Sequence, residues 1–144
     1  MLLTGEYKHT IDTKKRLALP SKFRKGLGNT VVITRETNKC LVVYTEKGWK
    51  KIADKLAEVS ISRDEARRYV RIKLAGAMSV KLDKLGRVLI PDYLKEYAGL
   101  KKDVIVFGLS NRVEIWDSKN WEIYKKESEN EMDTLVSKLE ELGI

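Results

Sequence analysis

One stretch of this chain occurs twice. Asp12-Thr13-Lys14-Lys15-Arg16-Leu17-Ala18-Leu19-Pro20 returns as Asp83-Lys84-Leu85-Gly86-Arg87-Val88-Leu89-Ile90-Pro91, with Asp, Arg and Pro each 71 positions later. Upstream, Gly5 and Ile11 match Gly76 and Leu82 at the same shift. Downstream the shift becomes 72: Ile33, Tyr44 and Trp49 match Ile105, Trp116 and Trp121. A match held from Gly5 to Trp49 with a single one-residue slip marks an internal duplication, which decides the architecture before any single element does. The halves are read as residues 1–75, a first repeat with connecting helices, and 76–144, a second repeat with a C-terminal helix.

Each copy reads as a strand, a tight turn, a short strand, a short helix and a hairpin. Pro20 and Pro91 stop the strand after the turn and can open a helix, where the missing N–H is harmless. The first short helix is expected over Ser21–Lys25, ended by Gly26 and Gly28. Thr30–Thr34 and Cys40–Tyr44 are rich in β-branched and aromatic residues, with Asn38-Lys39 at the turn between them. Asp103–Phe107 and Arg112–Trp116 repeat that hairpin around Ser110-Asn111. Thr45 is expected to cap a helix bearing Trp49, Ile52, Ala53 and Leu56 at helical spacing. Ser62-Arg63-Asp64-Glu65 has the pattern of a capping box. The helix it opens has an apolar side of Ala66, Tyr69, Val70 and Leu74; its Arg63, Arg67, Arg68 and Arg71 could touch DNA but fit better a charged outer face or an interface with a neighbouring subunit. A last helix is expected from about Trp121, capped by Asp117. Met132, Leu135, Val136 and Leu139 then extend an apolar stripe into an acidic tail.

Within the repeated turn the residue types have physical tasks. Asp12 and Asp83 can accept from N–H groups of the turn, and Gly86 supplies a positive φ for a tight reversal. Arg16 and Arg87 can close the turn by pairing with the aspartate, or reach outward to a phosphate or a guanine edge. Lys15 stands where the second copy has Gly86, so an identical backbone in the two turns is not assured. Lys14, Lys15 and Arg16 are consecutive, with Lys8 and Lys22 close by. The first turn is therefore expected to supply more electrostatic grip than the second, which has Lys84 and Arg87 with Lys81 nearby.

The net charge of +8 is unevenly spread. Residues 1–75 hold 18 Lys/Arg against 8 Asp/Glu, and residues 76–144 hold 11 against 13. A basic half suggests a polyanionic partner such as nucleic acid, with a lysine-rich solvated surface as the alternative. Hydrophobic content of 42% with 35% charged residues suits a folded domain. No apolar run approaches the length of a membrane span, and the first residues lack the basic and apolar regions of a secretory signal. A single cysteine, Cys40, excludes an intrachain disulfide and fits a reducing compartment. The expected location is cytoplasmic.

In its two Asp-x-x-x-Arg turns, the Arg-apolar-apolar-apolar-Pro runs after them, and Tyr44/Trp49 against Trp116/Trp121, the chain resembles the MraZ family of bacterial DNA-binding transcriptional regulators in the SpoVT-AbrB superfamily. The likeness spans nearly the whole chain. It implies an α+β fold in which tandem AbrB-like halves form one swapped-hairpin β-barrel with flanking helices. It further implies ring-shaped homo-oligomers, nucleoid-associated, that bind double-stranded DNA at promoter repeats of the division and cell-wall gene cluster. The DNA-contacting loops would be 12–16 and 83–87. Lys14, Lys15, Arg16, Lys84 and Arg87 would act with Lys8 and Lys81, on turns structured by Asp12, Asp83 and Gly86.

Catalysis finds little support. His9 is the sole histidine and reads as a polar loop residue, Cys40 sits in an apolar strand pattern, and no cofactor or metal motif is present. The rival reading is a protein-interaction module of the antitoxin or scaffold type on the same barrel, with 127–144 as the partner-binding tail.

Overall fold

The computed structural model describes residues 2–59 and 63–144. Its strands are β1 (Glu6–Thr10), β2 (Arg16–Ala18), β3 (Thr30–Glu36), β4 (Cys40–Thr45), β5 (Met78–Lys81), β6 (Arg87–Leu89), β7 (Asp103–Gly108) and β8 (Arg112–Asp117). Its helices are α1 (Ser21–Leu27), α2 (Glu46–Val59), α3 (Asp64–Ala75), α4 (Asp92–Tyr97), α5 (Ser118–Asn130) and α6 (Met132–Glu141). The fold class is α+β.

Local chemistry accounts for most boundaries. Asn38 and Lys39 both take positive φ (65° and 54°), the paired left-handed turn that matches the twist of the β3–β4 hairpin. Thr45 Oγ1 accepts from the Gly48 N–H at 2.9 Å and starts α2, while Asp117 accepts from Asn120 N–H at 3.3 Å and starts α5. The first short helix runs through Gly26 to Leu27 and stops at Gly28, whose φ of 84° a side chain would resist. The expected last helix is two: α5 begins three residues before Trp121, and the chain breaks at Glu131 (φ −107°, ψ 8°) before α6. His9 lies within β1, opposite Val104, and not in a loop. The capping sequence begins at Ser62, outside the described residues. Arg63 stands at the N-cap of α3 with no side-chain cap bond.

Six strands form one sheet in the order β1-β7-β8-β4-β3-β5, and β2 pairs with β6 as a separate two-stranded ribbon. Exchanging the labels of the first four strands for the last four leaves this order unchanged. The hairpins β3–β4 and β7–β8 join through β4 and β8, and each is flanked by a strand from the opposite part of the chain: β5 on β3, β1 on β7. The sheet does not close, because β1 and β5 are edges that do not pair with each other. The ribbon touches it through the Ile11–Leu17 bridge.

Alternation sorts the residues between two faces. Val31, Ile33, Leu41, Val43, Val104, Val106, Val113 and Ile115 pack against Leu17 and Val88 of the ribbon, Phe23 and Leu27 of α1, and Leu94 of α4. Each such buried side chain contributes about 1.5–3 kcal/mol. The opposite face carries Tyr44, tilted against Trp49 of α2, and Trp116, which meets Trp121 edge-on and lies tilted against Tyr124 of α5. Val70 turns inward on α3 as its periodicity predicts, but so does Lys73, only 4% exposed. Its ammonium lies 2.6 Å from Glu36 Oε2 and 3.3 Å from the Tyr69 hydroxyl, above the Tyr44 ring. Burial is the largest single influence on the Lys73 pKa and pushes it down, but the interactions with Glu36 and Tyr44 together outweigh it and the net direction is up. For Glu36, burial is the largest influence and pushes upward, but the Lys73 ammonium, the Thr37 N–H and the Tyr69 hydroxyl together leave its pKa below the ordinary value.

This pair fastens α3 to β3. Glu36→Ala, which strands the buried ammonium, is expected to lower stability in urea titration by about 3–5 kcal/mol. The double change Glu36→Leu/Lys73→Met is expected to recover most of that loss. Equal losses from the single and double changes would contradict this account.

Candidate nucleic-acid interface

The two repeated turns have the same internal bonding. In the first, Asp12 Oδ1 accepts from the N–H groups of Lys14 and Arg16, both at 2.9 Å, and Oδ2 accepts from Arg16 Nε at 2.8 Å. In the second, Asp83 Oδ1 accepts from Leu85 N–H (3.0 Å) and Arg87 N–H (2.9 Å), and Oδ2 from Arg87 Nε (2.7 Å). The backbone closes alike: Lys15 N–H donates to Asp12 O at 3.0 Å, and Gly86 N–H to Asp83 O at 2.9 Å. The Lys15 exception leaves the geometry unchanged, because Lys15 adopts φ 64° where Gly86 has 74°. A left-handed lysine is held at a cost of about 1–2 kcal/mol.

The arginines divide their donors between the two tasks open to them. Nε is bound to the aspartate, while the Nη atoms have no hydrogen-bond partner among the described residues. The aspartate thus fixes the guanidinium without using the fork that recognises phosphate or guanine. Both aspartates have a pKa below the ordinary 3.8, the largest cause being the backbone N–H of Arg16 and of Arg87 respectively.

Register brings the turns together. In the ribbon Arg16 stands opposite Leu89, Leu17 opposite Val88, and Ala18 opposite Arg87. Leu17 and Val88 are fully buried, so Arg16, Ala18, Arg87 and Leu89 share the outward face. Arg16 and Arg87 are diagonal neighbours on it, roughly 7–8 Å apart. They remain 33% and 27% exposed despite their aspartate partners. Leu89 and Leu85 add exposed apolar surface. Lys14 and Lys84 are exposed at the two turns.

Other sequence candidates are distributed differently. Lys15 Nζ is paired with Asp92 Oδ1 at 2.6 Å, at the start of α4. Lys8 stands opposite Ile105 and Lys81 opposite Thr30, one position out of phase with the core residues Tyr7 and Val80. They are on the face of the large sheet that carries α2 and α5, opposite the ribbon. Sequence reading also passes over Arg24 of α1, which lies against Gly86. The available signal is the mismatch at the left-handed position: a glycine opposite a lysine leaves a space that another side chain can fill. The Cys40 thiol, buried within reach of Glu114, is held well above its usual pKa by burial first and that carboxylate second, which leaves it unreactive.

The family model of the MraZ protein, described as antitoxin-like, matches residues 2–72 and 74–139. The transcriptional regulator MraZ of Caldicellulosiruptor bescii is 44% identical over 146 residues, covering 99% of this chain and 100% of that one. Its counterpart in Acetivibrio thermocellus is 42% identical over 140 residues, covering 97% and 98%. Among solved structures, the solution structure of PHS018 from Pyrococcus horikoshii aligns over 80% of this chain and 89% of that chain at 15% identity, with a TM-score of 0.31.

The lowered aspartate pKa values give the clamps a pH dependence. The folded values lie below the unfolded 3.8, so their contribution is fully present above pH 3.8 and lost as pH falls through the folded values. Acid titration followed by NMR is expected to show the Arg16 and Arg87 Nε–H signals losing exchange protection only below pH 3.8. Asp12→Asn should abolish the Arg16 transition and leave that of Arg87. Loss of both signals near neutral pH would refute the clamp.

Proposed function

The chain belongs to the MraZ family, and on that premise we propose that it is a transcriptional regulator that grips double-stranded DNA with the outward face of the β2–β6 ribbon. One observation carries the reading: two aspartate-fixed arginines, each with its Nη fork unpaired, sit diagonally on one exposed ribbon. A two-stranded ribbon fits the major groove, and a spacing of roughly 7–8 Å corresponds to about two base-pair steps. Arg16 and Arg87 are the base- or guanine-reading groups. Lys14 and Lys84 at the turn tips contact phosphates, and Leu85 and Leu89 suit a thymine methyl. Lys15, Lys8 and Lys81 add to the attractive field from outside the contact. Asp12, Asp83 and Gly86 hold the turns in shape.

The six-stranded sheet and the ribbon together are read as the swapped-hairpin barrel of two AbrB-like halves, 1–75 and 76–144. The exchange of β1 and β5 between hairpins supports this. Self-assembly into a ring, through the arginine-bearing α3 and the C-terminal stripe, is supported by α6, where Met132, Leu135, Val136 and Leu139 are all exposed. Several copies of the ribbon on one ring engage successive promoter repeats, so avidity reinforces weak single contacts. The target is the division and cell-wall gene cluster, with the protein nucleoid-associated in the cytoplasm and no catalytic role. A second reading, an antitoxin or scaffold module, draws on the family's antitoxin-like description and on the same α6 stripe.

Footprinting on direct repeats upstream of the chain's own gene tests the regulator. Arg16→Ala and Arg87→Ala are each expected to weaken binding by roughly 1–3 kcal/mol per lost base contact. The melting temperature should stay within a few degrees of the wild type. A scaffold would instead show no duplex binding that weakens with salt. Sedimentation should find an oligomer at micromolar concentration that Leu135→Glu/Leu139→Glu dissociates, and a purely monomeric wild type would refute the ring.

A further inference from the structure

The two turns share their bonding and differ at the one left-handed position, Lys15 in the first and Gly86 in the second. In the first, the side chain at that position leads off to Asp92. In the second, a Cβ on Gly86 would fall directly onto Cδ, Nε and Cζ of Arg24. The space that residue 86 would need is filled by an arginine from the other half of the chain.

Arg24 is held there by two linked bonds. Its Nε donates to Leu19 O at 2.9 Å, and the Leu19 N–H donates to Gly86 O at 3.0 Å. Helix, strand end and turn are thereby tied together. The bond to Leu19 uses one of five guanidinium donors. The other four have no hydrogen bond or ion pair among the described residues. The duplication explains why no carboxylate quenches this charge: Ser21 occupies the position in the first half that Asp92 occupies in the second.

We propose that Arg24 is a third nucleic-acid-contacting arginine, delivered to the second turn by α1, and that Gly86 is the clearance that admits it. The inference rests on the DNA-binding reading above. It also inverts the ranking of the turns expected from sequence. The first turn keeps Lys14 and Arg16 as cations free of a carboxylate outside the turn, because Lys15 is paired. The second has Lys84 and Arg87 with Arg24 beside them.

The test is a salt titration of full-length protein on a mixed-sequence duplex, followed by fluorescence anisotropy. Arg24→Ala and Arg24→Gln are each expected to lower the slope of log affinity against log salt by about 1 per engaged subunit. The glutamine amide can still donate to Leu19 O, so loss of slope in that variant reports the charge and not the brace. Arg24→Lys should restore the slope. Gly86→Ala should lower it equally, with no further loss on adding Arg24→Ala, because each change removes the Arg24 guanidinium from the same place. A wild-type slope in Arg24→Gln, with Arg16→Ala and Arg87→Ala still weakened, would overturn this inference alone. Additive losses in the Gly86→Ala/Arg24→Ala double variant would overturn the clearance role. Failure of the wild type to bind any duplex would overturn both this inference and the DNA-binding reading.

Discussion

Three residue pairs between β2 and β6 hold the two repeated turns together. Without that short antiparallel ribbon the two turns would be separate features at distant points of the chain. With it, Leu17 and Val88 are driven into the core, and the period of the strand forces Arg16 and Arg87 to the opposite side. Burial of two apolar side chains therefore dictates where two charges stand. A slip of one residue would bury the arginines and expose the apolar pair, which is why so short a ribbon has a defined register.

The aspartates refine what the ribbon positions. An exposed arginine on a strand has many rotamers, and ordering it on a ligand would sacrifice that freedom. Here the ordering is done in advance by a carboxylate that also organises its own turn. The same atom set appears twice, on a lysine-bearing backbone and on a glycine-bearing one, so the clamp tolerates variation at the left-handed position.

Much of this was legible in the residues because the duplication placed each element beside a second copy of itself. The hairpins, the caps at Thr45 and Asp117 and the two turns follow from local chemistry. Partnership between strands does not: alternation in β1 says that one side is apolar, and nothing in it names β7. The open edges at β1 and β5 are equally invisible, since closure depends on how the whole sheet curves. Lys73 escaped for a related reason. A lysine on a helix rich in arginines reads as solvated, and only the approach of Glu36 from β3 makes its burial tolerable. Arg24 could not be assigned from sequence because its partner is a missing side chain on a turn far along the chain.

The exchanged strands also set an order of events in making the molecule. β3 and β4 can form their hairpin as soon as they leave the ribosome, since their contacts are local. β1, although synthesised first, has no partner until β7 has emerged near the end of the chain. Through most of translation its edge, and the core-facing Tyr7 beside it, wait uncovered. Strand insertion is consequently a late step, and a chain truncated before β7 leaves an open edge available to other copies. The topology that unites the two arginines thus makes the first strand made among the last to be placed.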